Sequence, residues 1–177
     1  GWALGAGVTY GVSKMPIKIR GIFSADNFQV YWSIWHYVIA TLTAAVVVMS
    51  DTRAKALGLT PLARVVSSGV SGLDPEIMGL GPIEASRQAL ARAGMTIDDI
   101  DLVEINEAFA AQVIPSAREL GIEWDKLNVN GGAIALGHPF GMTGARIMTT
   151  LINGLDDADK EWGVESMCVG GGQGLAM

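Results

Sequence analysis

Cysteine is almost absent from this chain: Cys168 is the only one in 177 residues. An intrachain disulfide is therefore excluded, and the thiol count says little about redox compartment. Histidine is nearly as scarce. Two His and one Cys give no metal-ligand cluster at a usual spacing. Charge is sparse as well, at 17% of the residues against 50% hydrophobic. So apolar a composition suggests that part of the surface is covered by another domain or subunit. Positive charge is in deficit, with a net charge of −6 and a pI of about 4.8. That disfavours nucleic acid and an anionic membrane surface as partners. No basic segment leads into an apolar one at the start of the sequence, so no secretory signal is read and the expected compartment is the cytoplasm.

The length suits one domain with a sizeable core. Residues 27–50 carry no Asp, Glu, Lys or Arg and include Trp32, Trp35 and Tyr37. Lys14, Lys18 and Arg20 precede them, so a membrane-anchored form must be weighed. A buried strand after an irregular apolar segment is the preferred reading, because Val46, Val47 and Val48 are β-branched.

The chain changes character near residue 44. Residues 1–43 show no period and no motif and stay unassigned. Residues 44–177 alternate strand-like and helix-like segments, the pattern of an α/β domain. The spacing predicts a strand over 44–50 and a short helix capped by Asp51 and ended by Gly58. A second strand is expected over 61–71, then a loop to Gly81. Pro82 opens a helix with Ile83, Ala89, Leu90 and Ala93 on its apolar side, and Gly94 stops it. Asp98 and Asp99 mark a turn. Leu102, Val103 and Ile105 form a strand, and residues 107–120 a helix closed by Gly121. A glycine-rich turn leads to a helix from about Gly141 to Leu155. Strands at 164–169 and 173–177 flank Gly170, Gly171 and Gly172.

Three segments place a polar or reactive residue at a strand end or turn among small residues. They are Asn106-Glu107-Ala108-Phe109, Gly137-His138-Pro139, and Cys168-Val169-Gly170-Gly171-Gly172. Catalytic groups on α/β scaffolds are carried by loops of this kind. Taken singly, each has a plain structural reading: a satisfied histidine, a buried small thiol, a tight hairpin. Together they suggest thiol and carbonyl chemistry. A His near a Cys can exchange protons with it and lower its pKa. A thiol, with an ordinary pKa of about 8.5, can also serve carbon as acid or base. Glycines after the Cys let backbone N–H groups approach a carbonyl oxygen, as an oxyanion hole requires. An Asn at a strand end can hold a water as a further donor. Convergence of the three in space is an expectation that spacing does not show.

These residues resemble a known family. Asn106-Glu107-Ala108-Phe109, the run Asn130 to Arg146 with Gly137-His138-Pro139 at its centre, and the run Cys168 to Gly174 resemble the C-terminal signatures of thiolases in order and spacing. The likeness extends back through Met78-Gly79-Leu80-Gly81-Pro82 to about Ala44, and its details are closest to bacterial β-oxidation thiolases. The resemblance implies the C-terminal half of the thiolase fold, a mixed sheet with helices on both faces. It implies an acyltransferase that cleaves 3-ketoacyl-CoA with CoA into acetyl-CoA and a shortened acyl-CoA, or runs the reverse Claisen condensation. Coenzyme A thioesters are then substrates, with no permanently bound cofactor. His138 would activate a nucleophilic Cys and, with a water held by Asn106, stabilise the enolate of acetyl-CoA. Cys168 would move the proton at the acetyl carbon, and the Gly170 N–H would donate to a second oxyanion hole. Met78, Ala108 and Phe109 would line the pantetheine and acyl pocket.

Three departures stand against the family pattern. The family's nucleophilic Cys belongs to its N-terminal half, and Cys168 here is already matched to the second Cys. His36 to Ala44 does not match the Gly- and Asn-rich segment that helps hold CoA, and the last strand of the family runs a few residues past the position of Met177. The expected entity is a thiolase fragment, inactive alone, partnered by a thiolase N-terminal half or a second subunit and oligomeric in complete form. The competing reading is a non-catalytic CoA-binding or subunit-assembly module.

Overall fold

The computed structural model describes residues 46–177. The unassigned segment 1–43 lies outside the described residues, as does the apolar run 27–50 apart from its last positions. Among the described residues no helix is long and apolar enough to cross a membrane.

Four strands form one mixed sheet: β1 (Gly69–Gly72), β2 (Leu102–Ile105), β3 (Gly163–Val169) and β4 (Gln173–Ala176). Their order across the sheet is β1-β4-β3-β2. β2 runs parallel to β3 with Ile105 opposite Ser166, and β4 runs antiparallel to both β3 and β1. The helices are α1 (Asp51–Ala56), α2 (Gly81–Ala93), α3 (Ala110–Leu120), α4 (Ala133–Leu136) and α5 (Phe140–Asp157). The last three lie between β2 and β3, supplying the long crossover that a parallel pair needs.

Strand alternation sorts the side chains onto two faces. Val103, Ile105 and Val164 share one face, where Leu90 of α2 and Val113, Ala117 and Leu120 of α3 close an apolar core. Each large side chain buried there contributes about 1.5–3 kcal/mol. α2 approaches the outer strands closely. A β carbon at Gly69 or Gly174 would collide with the backbone carbonyls of Ala85 and Gly81, so only glycine permits this contact. Ser71, opposite Gly174, donates its hydroxyl to the Gly81 carbonyl at 2.8 Å. The other face carries Glu104 and Glu165 and is covered by α5. This is the expected mixed sheet with helices on both faces.

Local signals hold at many element ends. Pro82 lies in the first turn of α2, and Gly94 and Gly121 close α2 and α3 with φ of 71° and 74°. Elsewhere the structure corrects the expectation. Residues 46–50 form no strand, and Val46, Val47 and Val48 are exposed, because no described strand runs beside them to take their hydrogen bonds. The strand expected over 61–71 shrinks to Gly69–Gly72. Gly69 already pairs with Ala176, the last residue of β4, and Leu62, Val65 and Val66 before it are exposed. Ser50, not Asp51, caps α1: its hydroxyl accepts from the Arg53 N–H at 3.2 Å. The helix expected from residue 107 starts at Ala110, because Glu107 is held outside it by contacts to Asn128 and Ile134. α4 and a 3-10 helix over Pro75–Leu80 were not expected.

Candidate active site

β2 delivers Asn106 just past its last residue. Asn106 is fully buried, and its N–H still bonds the Ser166 carbonyl of β3 at 2.9 Å. The glycine-rich segment after Asn130 passes through α4 to Gly137, where a φ of 96° turns the chain. His138 follows, and Pro139 caps α5. The two functional candidates meet there: His138 Nε2 lies 3.3 Å from Asn106 Nδ2. On the other side of the ring, Nδ1 lies 2.6 Å from Thr143 Oγ1. Thr143 itself donates to the Pro139 carbonyl at 3.1 Å.

These contacts assign the tautomer. The Asn106 amide nitrogen can only donate, so Nε2 accepts. The single hydroxyl proton of Thr143 goes to Pro139, so Nδ1–H donates to Oγ1. His138 is therefore a neutral imidazole with the Nε2 lone pair on the Asn106 side. Burial holds its pKa below the usual histidine range, and the nearby Arg146 charge adds to this. Such a ring is a base at neutral pH. Phe140 meets it edge-on, at 4.9 Å between ring centroids. Asn106 Oδ1 is buried without a protein partner among the described residues.

Cys168 reaches the same end of the sheet. Ile105 is level with Ser166, so Cys168 stands one residue beyond the level of Asn106 on the adjacent parallel strand. Its thiol is free and buried. Alternation along β3 gives it the face of Val164 and Ser166, opposite to the face of Glu165. Among the described residues no hydrogen bond joins it to His138 or Asn106, so the structure joins two of the three expected groups and places the third nearby on the sheet. The expected lowering of the thiol pKa by the histidine is not what the site shows. Burial pushes the Cys168 thiol up, opposed only in part by a backbone hydrogen bond.

The family model described as "Thiolase, C-terminal domain" matches residues 59–177. The chain belongs to the thiolase family. It is 57% identical over 136 residues to the 3-ketoacyl-CoA thiolase of Cronobacter sakazakii, covering 75% of this chain and 35% of that protein. It is 56% identical over 136 residues to the acetyl-CoA acetyltransferase of Syntrophomonas wolfei, covering 76% of this chain and 34% of that one. Among solved structures, the acetyl-CoA acetyltransferase of Bacillus anthracis superposes with a TM-score of 0.70 at 51% identity. Human mitochondrial 3-ketoacyl-CoA thiolase does so with a TM-score of 0.70 at 50% identity. Each superposition covers 72% of this chain and 32% of the solved one. The chain thus spans about a third of the length of the thiolases it matches.

Other candidate residues of this thiolase chain are more scattered. Gly170 is exposed in the turn between β3 and β4. Ala108 is half-buried beside Asn106, and Phe109 is 62% exposed. Phe109, Ile77, Leu80 and Gln112 line a shallow groove of about 230 Å³. Met78 is half-buried on the 3-10 helix and does not line that groove, nor does His138. The chain segment that carries the histidine also carries exposed apolar side chains: Val129, Ile134, Leu136 and Phe140.

Sequence reasoning missed Thr143, the residue that holds Nδ1. A hydroxyl four residues after a proline that opens a helix was the available signal. It also missed a buried charged cluster. Arg146 Nη1 lies 3.3 Å from Glu104 Oε2, and Glu104 stands opposite Glu165 in the sheet. Burial raises Glu104 to about 7, against the pull of Arg146. Burial, then the Glu104 charge, raises Glu165 to about 8.

Proposed function

We propose that this chain carries the acid–base side of a thiolase active site, acting on 3-ketoacyl-CoA with coenzyme A. The observation that carries the reading is the neutral His138, with its Nε2 lone pair beside Asn106 at the end of β2. A nucleophilic cysteine comes from a thiolase N-terminal half, in the same polypeptide or on another subunit. The exposed Val129, Ile134, Leu136 and Phe140 on the segment that carries His138 suit a surface that such a half covers.

In the cleavage direction His138 Nε2 takes the proton of that thiol. The thiolate attacks the 3-keto carbon, and the bond between carbons 2 and 3 breaks. Its electron pair passes to carbon 2 as the enolate of acetyl-CoA. His138, now carrying the proton on Nε2, and a water held by Asn106 donate to the enolate oxygen. Cys168 gives its proton to carbon 2, releasing acetyl-CoA, and the raised thiol pKa supports this role as an acid. The thiolate of Cys168 then takes the proton of incoming CoA, whose sulfur displaces the acyl group from the nucleophilic cysteine. The Gly170 N–H donates to the oxygen of the acyl intermediate. Met78, Ala108 and Phe109 line the path of pantetheine and acyl chain. A degradative role in fatty-acid β-oxidation, a cytoplasmic setting and an oligomeric whole protein belong to the same reading. The names of the bacterial relatives and the acidic, apolar composition support them.

Complementation tests the proposal. The N-terminal part of the Cronobacter relative, added to this chain, is expected to restore thiolysis of acetoacetyl-CoA, followed by loss of enolate absorbance. His138→Ala should then lower the rate by about 10²–10⁴-fold. Full turnover by the 177-residue chain alone, or by the His138→Ala pair, overturns it.

A further inference from the structure

Glu107 is the neighbour of Asn106 in sequence, yet its carboxylate serves the segment that carries His138. One oxygen accepts from Asn128 Nδ2 at 2.9 Å and the other from the backbone N–H of Ile134 at 2.9 Å. Asn128 is itself fixed. Its Oδ1 accepts from the Ile105 N–H at 2.9 Å, and its Nδ2 also donates to the Ile105 carbonyl at 3.0 Å. The Asn128 amide thereby stands in for a strand partner at the end of β2, which explains why it is buried with a φ of 47°. Gly132 passes over the carboxylate so closely that a β carbon there would overlap it. From Ile134 the single turn of α4 runs to Gly137 and His138, with the Gly137 N–H on the Ala133 carbonyl at 2.8 Å.

We propose that Glu107, locked by Asn128, is the positioning residue that sets the contact between Asn106 and His138. One end of the link is the peptide bond to Asn106. The other is the Ile134 hydrogen bond at the base of the His138 turn. The carboxylate touches neither ring nor amide, so it is not a catalytic group. Both of its oxygens accept from N–H donors, and a carboxyl group offers an acceptor at each. A glutamine would set an NH₂ group against one of those donors. The inference rests on reading His138 as the working imidazole, but it concerns only where that ring is held.

The test reads the ring directly in the full chain, so its result is separate from whether any thiolase activity is restored. In nitrogen-15 NMR, wild-type His138 is expected as one tautomer, with the proton on Nδ1. In Glu107→Gln the ring should become a mixture of tautomers, its pKa should rise towards the ordinary histidine value, and exchange at the Ile134 amide should speed by about tenfold or more. His36→Gln removes the second histidine signal. Gly132→Ala keeps the charge but pushes the carboxylate off Ile134, and should give the same ring signature if Glu107→Gln does not fold. Ring signals unchanged from wild type in either folded variant overturn the proposal, whatever happens to overall stability.

Discussion

The two faces of the sheet are built on different principles. One face, under α2 and α3, carries the apolar core: Ile105 and Ala117 are fully buried there, among Val103, Val113 and Val164. The other, under α5, buries three ionisable side chains, Glu104, Glu165 and Arg146, and ends in the Asn106–His138 pair. Arg146 Nη2 and Glu165 Oε2 have no partner among the described residues. The first face supplies stability that changes little with pH. The second gives up stability to bury ionisable groups near the site. β2 belongs to both, because alternate residues of one strand serve the core and the chemistry.

The largest expected effect comes from cutting the charged face. Arg146→Ala leaves Glu104 buried without its counter-charge and should cost about 3–5 kcal/mol at pH 8.5 by urea denaturation. The loss should shrink at pH 5, where both glutamates are protonated. An equal loss at both pH values would break the distinction between the faces. Next, Ile105→Ala on the apolar face should cost about 2–5 kcal/mol and be flat with pH. Third, Glu165→Gln should stabilise. The folded pKa of Glu165 is raised to about 8, so folding favours the protonated acid. Its contribution is fully present below the unfolded carboxylate value and is lost as pH rises through the folded one. Glutamine should therefore raise stability on the order of 1–3 kcal/mol above pH 8 and change little near pH 4. A gain independent of pH would mean that Glu165 is not the titrating group. The smallest effect belongs to Asp101, off both faces. The Trp162 and Glu161 N–H groups and Lys160 hold its pKa below the usual range. Its contribution should be lost on acidification, opposite in sign to that of Glu165. Asp101→Asn should lower Tm by a few degrees at most at pH 7, and by less at pH 3.

Much of the scaffold was legible because its signals are local. Pro82 can open a helix and Gly94 and Gly121 can end one whatever surrounds them, since those roles depend on a missing N–H or a positive φ. Strands are less legible. Val46 to Val48 and residues 61–68 have the composition of strands, but a strand forms only against a neighbour, and composition does not name one. Glu107 read as helical for the same reason, because the pull of Asn128 and Ile134 comes from residues more than twenty positions away.

By itself the sequence determined the family, the α/β class and the three segments that bear chemistry, because motif spacing and glycine placement are one-dimensional facts. Only the tertiary structure decided which of those segments touch. It brought His138 to Asn106, left Cys168 nearby without a hydrogen bond to either, and set Thr143 and Glu107 behind the pair. It also decided that the buried thiol is held protonated while the imidazole is held neutral. Proton affinity depends on burial and on charges within a few ångströms, and neither quantity exists until the chain has folded.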